Sequence, residues 1–283
     1  MNRKWLVWLV AGLVCAGWSL AEEPRTLQES GRLAIFYRGE ECGWEQYALY
    51  RQGKHQVMET ESKLTLPRGA GNILFEYRTV EVMDEGYTPI SYQDDFAVNG
   101  RQSYIYTTFN NGTASDNALM GGQTLTRTAK VSPQFRILEE AVYSLYLPLY
   151  KKFKQSDAPK QNIPVYIPKI ASELKAEISF SGTTVVTTPL GDMKLNRYFV
   201  SLGSFQGATV EVSEKGALMK VTIPRQEIEL VRDLAWDLKG PAAPRPAPPG
   251  PPAPAEPMQP APTQPAPPAT PPSTPPDRTQ AAP

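Results

Sequence analysis

The sequence predicts a mainly β protein, a curved antiparallel sheet of half-barrel or barrel-like form, with one packed helix and a disordered Pro-rich tail. Three observations predict it. Short runs rich in Val, Ile, Tyr, Phe and Thr recur from residue 32 to residue 232 with turn signals between them, the pattern of strands joined in series. One segment near residue 140 leaves that alternation and carries apolar residues at helical spacing. From Pro241 to Pro283, 19 of 43 residues are proline, and so little apolar area cannot offset the entropy of ordering a chain.

The strands follow in order. RLAIFYRG (32–39), WEQYALYRQ (44–52), HQVMETESKLTL (55–66), ILFEYRTVEVM (73–83), ISYQDDFAV (90–98) and QSYIYTTF (102–109) form a first group. LKAEISF (174–180), VVTT (185–188), MKLNRYFVSL (193–202), ATVEVSE (208–214), ALMKVTIP (217–224) and QEIELVR (226–232) form a second. Asn99-Gly100 is a type I′ hairpin signal, because both residues tolerate a positive φ. Turns are also expected at Gln52-Gly53, Ser181-Gly182 and Lys215-Gly216. Strands joined this tightly pair antiparallel.

The exception is FRILEEAVYSLYLPLYKKF (135–153), which places Ile137, Leu138, Ala141, Val142, Leu145, Tyr146 and Leu149 on one helical stripe. Pro133 precedes it as a start signal, and Pro148 is expected to end or kink it. Lys151, Lys152 and Lys154 suit a helix C-terminus. The helix is expected to lay its stripe on the concave side of the sheet, leaving Glu139 and Glu140 toward solvent. Residues 155–173 read as a Pro-rich connection into the second group.

Both ends of the chain carry their own signals. Arg3 and Lys4 precede an apolar run of about fourteen residues, and small residues at Ser19 and Ala21 stand before Glu22. Such a run is short for a membrane span and suits a cleaved signal peptide over residues 1–21. Acylation at Cys15 is the competing exit, but Val14 stands where that chemistry needs a small residue. The chain is therefore expected to be periplasmic or secreted, touching the membrane only through the cleaved signal. A β-rich globular domain then covers 22–238, and the tail covers 239–283. The tail favours extended polyproline II.

Composition narrows the chemistry. Twenty-nine basic residues balance 29 acidic ones, which gives no electrostatic case for nucleic acid or anionic lipid. Signal cleavage leaves Cys42 alone, so no intramolecular disulfide forms, and the acids of GEECGWE raise its thiol pKa. The one histidine, His55, sits in a hairpin stretch. The sequence has no HExxH, CxxC, nucleophile elbow or phosphate loop. No metal, cofactor or catalytic residue is therefore expected. Asp94 and Asp95 point to opposite faces of their strand. A distant pair such as Glu45 with Asp94 is the arrangement left open to a glycosidase. Phe75 and Tyr77 share one strand face, and Tyr104 and Tyr106 share one face of another strand. Together with Leu145 they are candidates to line an apolar cavity, the other reading being ordinary sheet packing.

The succession CGWEQYALYR, Pro89 to Tyr92, IPVYIP, TTPLGDMKLNRYFV and KGALMKVTIP resembles an uncharacterised family of exported bacterial domains. That family is similar in architecture to the periplasmic lipoprotein carriers, whose curved sheet wraps a helix around an apolar cavity. The resemblance covers roughly residues 30–232 and rests on Gly43 and Glu45, the Thr188-Pro189-Leu190-Gly191 turn and the Lys215-Gly216 hairpin. It implies the fold and transfers no catalytic residue. Two functional classes follow. One is a non-catalytic exported envelope protein that binds or carries an apolar or amphipathic ligand such as a lipid, glycolipid or acyl chain. The alternative is a structural or scaffolding protein with a filled core that engages an envelope protein through its Pro-rich tail.

Overall fold

The structure is a computed structural model and describes residues 24–239 except residues 70, 155, 157, 190 and 204–206. The expected signal peptide and Pro-rich tail lie outside the described residues. Eight strands run first in hairpin succession: β1 (Arg25–Tyr37), β2 (Glu40–Gln52), β3 (His55–Arg68), β4 (Gly71–Met83), β5 (Pro89–Val98), β6 (Arg101–Asn110), β7 (Thr113–Met120) and β8 (Gln123–Lys130). After them come β9 (Arg136–Ile137), a 3₁₀ turn at Tyr143–Leu145 and helix α1 (Tyr146–Phe153). The chain then returns through β10 (Lys160–Ile167), β11 (Ser172–Thr188), β12 (Gly191–Ser201), β13 (Gly207–Ser213), β14 (Leu218–Ile223) and β15 (Ile228–Arg232), and ends in α2 (Leu234–Lys239).

All fifteen strands belong to one sheet, in the order β8-β7-β6-β5-β4-β3-β2-β1-β15-β14-β13-β12-β11-β10-β9. Every pairing is antiparallel except β9 with β10, which is parallel. The expected curved, barrel-like sheet with a packed helix is what forms. Its two ends meet through side chains instead of a ladder. Arg127 on β8 donates to the carbonyls of Pro168 and Lys169 at 2.7 and 3.0 Å. Tyr166 on β10 donates to Asp116 on β7 at 2.9 Å, and the Ser132 hydroxyl to Glu173 at 2.7 Å.

The expected hairpins hold at Asn99-Gly100, where φ is +50° and +79°, as a type I′ turn requires. Ser181-Gly182 is different. The structure makes it a bulge inside one long strand, with the register of β11 against β12 shifting between Phe180 and Gly182. Two further strands, β7 and β8, carry no apolar run, which is why composition hides them. Their inward residues are small or paired (Ala114, Asp116, Ala118), and backbone pairing to β6 supplies the order. β10 replaces the Pro-rich connection. Pro164 fits there because β9 pairs only with Val165 and Tyr166, so no ladder bond to the missing N–H is lost on that edge.

The largest difference concerns residues 135–153. Only 143–153 is helical; Arg136–Ile137 form β9, and the rest of the preceding stretch is irregular, with positive φ at Gln134 and Ala141 and a bridge between Glu139 and Val142. Pro148 neither ends nor kinks α1. It is the third residue of α1, a first-turn position whose N–H lies outside that helix's own α-helical ladder. The segment is also not amphipathic in its setting, since Phe135 through Glu139 and Ala141 through Leu149 are all buried. It threads the concave face, so its whole circumference meets protein. Glu139 is accordingly buried, not solvent-facing, while Glu140 is exposed.

Two glycines explain local closeness. A Cβ on Gly43 would collide with the Lys63 carbonyl oxygen and with Leu64, because β2 bulges there: Ile35 faces Gly43 while Phe36 faces Glu41, skipping Cys42. Gly43→Ala is therefore expected to destabilise the protein by about 1–3 kcal/mol, as overpacking does, read as a lower urea midpoint with unchanged slope. Gly31 leaves room for Arg232, whose Nη1 would lie 2.6 Å from a Cβ there. Arg232 donates to the Tyr47 hydroxyl at 2.9 Å and the Ser30 carbonyl at 2.5 Å, and pairs with Asp237 at 2.6 Å. This one side chain binds β1, β2 and α2 together.

Candidate functional site

Along β2 to β7 the inward-facing positions are not all apolar. Strand pairing aligns three rows across the concave face. Glu45 stands opposite Ser62, and Thr60 opposite Thr79, which stands opposite Asp94. In the third row Glu81 faces Tyr92, Tyr92 faces Thr107, and Thr107 faces Asp116. All nine of these residues are buried. The interior segment lies over them, so the array is sealed between sheet and plug.

Each carboxyl is handled differently. Glu45 accepts from the backbone N–H of Tyr143 at 2.9 Å and from that of Ser144, whose hydroxyl meets Thr60 at 2.8 Å. Those two N–H groups open the 3₁₀ turn, so Glu45 performs from the sheet what a capping side chain performs locally. Burial pushes its pKa up to about 7, with the Tyr143 and Ser144 donors pulling the other way. Asp116 accepts from Tyr166, from Thr107 at 2.8 Å and from Arg127 at 3.1 Å, which joins the two ends of the sheet. Glu139 accepts from the Lys169 N–H at 3.1 Å and lies 3.6 Å from its ammonium. That ammonium also sits 4.7 Å from the Tyr77 ring and 5.1 Å from the Phe96 ring.

Glu81 and Asp94 stand apart from these. Neither carboxyl has a hydrogen-bond partner among the described residues, and the Tyr92 and Ser62 hydroxyls share that condition. Burial raises Glu81 to about 8 against the opposing pull of Arg136. It raises Asp94 to about 8 against Lys169, with Glu139 and Asp95 adding to the rise. A carboxyl with no donor in an apolar setting is cheaper to bury neutral than charged. Arg136 is wholly buried, donates to the Gly86 carbonyl at 2.6 Å, and is lowered to about 10 by burial. Chemically the array combines two acids that burial favours as neutral, Glu81 and Asp94, with buried hydroxyls, beside buried Arg136 and half-buried Lys169. Glu45 and Asp94, the pair left open to a glycosidase, lie three strands apart, roughly 14 Å along the sheet, and both are closed off from solvent.

The predicted lining residues separate. Tyr77 and Leu145 are interior, and Phe75 packs against that core, stacking on Tyr77 at 6.4 Å while Tyr77 stacks on Phe96 at 5.9 Å. Tyr104 and Tyr106 lie on the opposite face, because Ile105 and Thr107 take the inward positions of β6. Sequence spacing puts each pair on one face but cannot say which face is concave. Cys42 is a free, half-buried thiol pushed up first by burial and then by Glu41, and His55 is exposed. No group of three or more acidic, His or Cys side chains among the described residues could hold a metal ion.

Two spaces lined by described residues differ in kind, one enclosed and small, the other open. Next to α1, Tyr146, Leu149, Tyr150, Ile178, Tyr198, Val200 and Val210 enclose about 10 Å³. On the outer face a depression of about 420 Å³ is walled by Trp44, Lys63, Glu76, Arg78, Asp95 and Gln102. Its walls are already paired, with Lys63 and Glu76 at 3.0 Å and Arg32 5.1 Å over Trp44. No described helix is long and apolar enough to cross a membrane.

The chain has the fold of a β-barrel-like domain of unknown function. It is similar to the crystal structure of a β-barrel-like protein of the domain of unknown function DUF1849 from Brucella abortus, with a TM-score of 0.52 at 5% identity, covering 73% of this chain and 96% of that one. A DUF1089 family protein from Pseudomonas aeruginosa gives a TM-score of 0.39 at 12% identity, over 62% of this chain and 87% of that one. No protein-family model matches the sequence, and no curated protein does. At such identities the likeness concerns the path of the chain alone.

The buried acids were findable in part. Glu45, Glu81, Asp94 and Asp116 share strand parity with Tyr47, Met83, Tyr92 and Ala118. A polar residue in phase with an apolar face is the signal. What covers that face is decided elsewhere in the chain.

Proposed function

We propose that this chain is a non-catalytic exported envelope protein of the structural kind, a self-filled barrel-like scaffold that engages an envelope partner through its Pro-rich segment 241–283. The observation that carries the reading is the occupant of the concave face: the segment 138–153, which follows β9, fills it with Leu138, Val142, Leu145 and Leu149. A lipid carrier needs a continuous apolar cavity of roughly 300 Å³ or more, and the space beside α1 is about 10 Å³. The same cover argues against hydrolysis at Glu45 and Asp94, since neither can meet a substrate while the plug is in place. Export is supported by the charged, apolar and small-residue succession of residues 1–21. The tail composition supports partner binding, because a polyproline II segment loses little entropy on entering an aromatic groove.

Native mass spectrometry and lipid extraction of the protein purified from its own envelope test the reading, together with affinity capture with and without residues 241–283. The expected result is a ligand-free mass and a partner lost with the tail. Deleting the tail is also expected to leave the melting temperature within about a degree, since its composition offers no apolar area to bury. A stoichiometric copurifying lipid would sink the scaffold reading in favour of the carrier.

A further inference from the structure

We infer that the outer edge of β11 between Gly182 and Thr187 is an interface at which two copies of this chain pair edge to edge. β11 outruns its neighbour: β10 pairs with it only from Ser172 to Ser179, and the last backbone bond on that side is Phe180 N–H to the Pro159 carbonyl at 3.0 Å. β12 continues to pair on the other side out to Gly191, whereas β13 pairs with β12 only from Leu195 onward. The far half of this hairpin is thus a two-stranded arm. Among the described residues no strand pairs with its β11 edge.

An exposed strand edge carries a row of unpaired donors and acceptors and is a template for another strand. The other edges of the sheet are guarded. β8 carries Arg127 and Lys130, with Arg127 turned into the closure, and β9 is two residues long. The β11 strand of the arm carries no such charge, the charged residues of the arm, Asp192 and Lys194, being on β12. Residues 183–188 read TTVVTT, all β-branched, uncharged and free of proline, the composition that pairs most readily. Val185 is 63% exposed. Phe180 and Phe199, on opposite faces of the sheet near the arm's base, are also exposed.

The composition also selects the occupant. The Pro-rich tail is a poor strand partner, because its prolines bring no N–H to a ladder. A second copy suits the edge well. In an antiparallel pair the residues whose N–H and C=O face the partner have one parity, so a two-fold axis between identical edges must pass through a residue. Centred on Val185, the axis sets Val185 against Val185, Thr183 against Thr187 and Thr184 against Val186. Every cross-strand pair is then β-branched on β-branched, with no like charges opposed. The contact uses the same patch on both copies and closes as a dimer. Its small extent places it among weak interfaces.

Sedimentation of the purified protein from about 10 µM to about 1 mM tests this, the range in which weak interfaces dissociate. A monomer–dimer equilibrium is expected. Val185→Glu, which opposes two carboxylates across the axis, is expected to weaken it at least about tenfold with no change in melting temperature. In a cysteine-free background, Val185→Cys is expected to oxidise to a covalent dimer, since paired Cα atoms about 4.5–5.5 Å apart suit a disulfide. Lys215→Cys, exposed on another hairpin, is expected to stay monomeric. A monomer across the whole range, a dimer indifferent to Val185→Glu, or open-ended growth past the dimer would each overturn the inference.

Discussion

Leu145→Asp is expected to unfold the protein at neutral pH. Leu145 is fully buried in the 3₁₀ turn, one residue from the Ser144 N–H that Glu45 holds. A carboxylate there would be buried within the apolar core cluster, so the penalty is several kcal/mol, against a total stability of about 5–15 kcal/mol. Leu145→Ala, which removes packing and adds no charge, is expected to cost about 2–5 kcal/mol and leave a folded protein. The two neighbouring glutamates make an internal comparison. Exposed Glu140→Gln is expected to change stability by no more than about half a kcal/mol. Glu139→Gln removes the buried carboxylate that pairs with half-buried Lys169 and is expected to cost more than that. Urea titrations followed by circular dichroism read all four. If Leu145→Asp leaves a sheet of normal stability, residues 138–153 are a detachable lid and not the core.

Stability is expected to fall as pH rises from about 4 to about 8. The folded pKa of Glu81 is about 8 against 4.5 for the free side chain, and that of Asp94 about 8 against 3.8. Both are raised, so between those values the folded state holds protons that the unfolded state releases. Their contribution is complete below the unfolded values and is lost as pH climbs through the folded ones. At about 1.4 kcal/mol per unit, each shift amounts to several kcal/mol as an order of magnitude. The facing charges are Arg136 for Glu81, and Lys169, Glu139 and Asp95 for Asp94. Glu81→Gln and Asp94→Asn remove the option of ionising while keeping the shape. Each is expected to be more stable than the parent at pH 8, with the difference shrinking toward pH 5. Melting curves across that range decide it, and a parent stability that rises between pH 5 and pH 8 would refute the assignment of these acids as neutral.

Local pairing and global closure divide what could be read in advance. Strand alternation and turn chemistry are short-range, so β1 to β6 and β12 to β15 are legible from residues such as Asn99-Gly100 and from the spacing of Phe75 and Tyr77. β7 and β8 are not, because their order comes from pairing to β6 and their inward residues are Ala114, Asp116 and Ala118. The helix is legible as an apolar segment but not as a helix over its full length. Periodicity assumes one buried face, and residues 135–149 are buried nearly all round. The same blindness hid the role of Glu139 and put Tyr104 and Tyr106 on the wrong side.

By itself, the sequence determined the class of the fold, the positions of most strands, the absence of familiar catalytic and metal motifs, and the parity that aligns Glu45, Glu81 and Asp94 with apolar neighbours. Only the tertiary structure decided which face is concave, that the chain's own residues 138–153 fill it, and that these acids are sealed beneath. The physical reason is range. Hydrogen-bond ladders and turns are set by residues close in sequence, whereas burial depends on a segment about 40 to 100 positions away, as when Ser144 and Tyr143 close over Glu45.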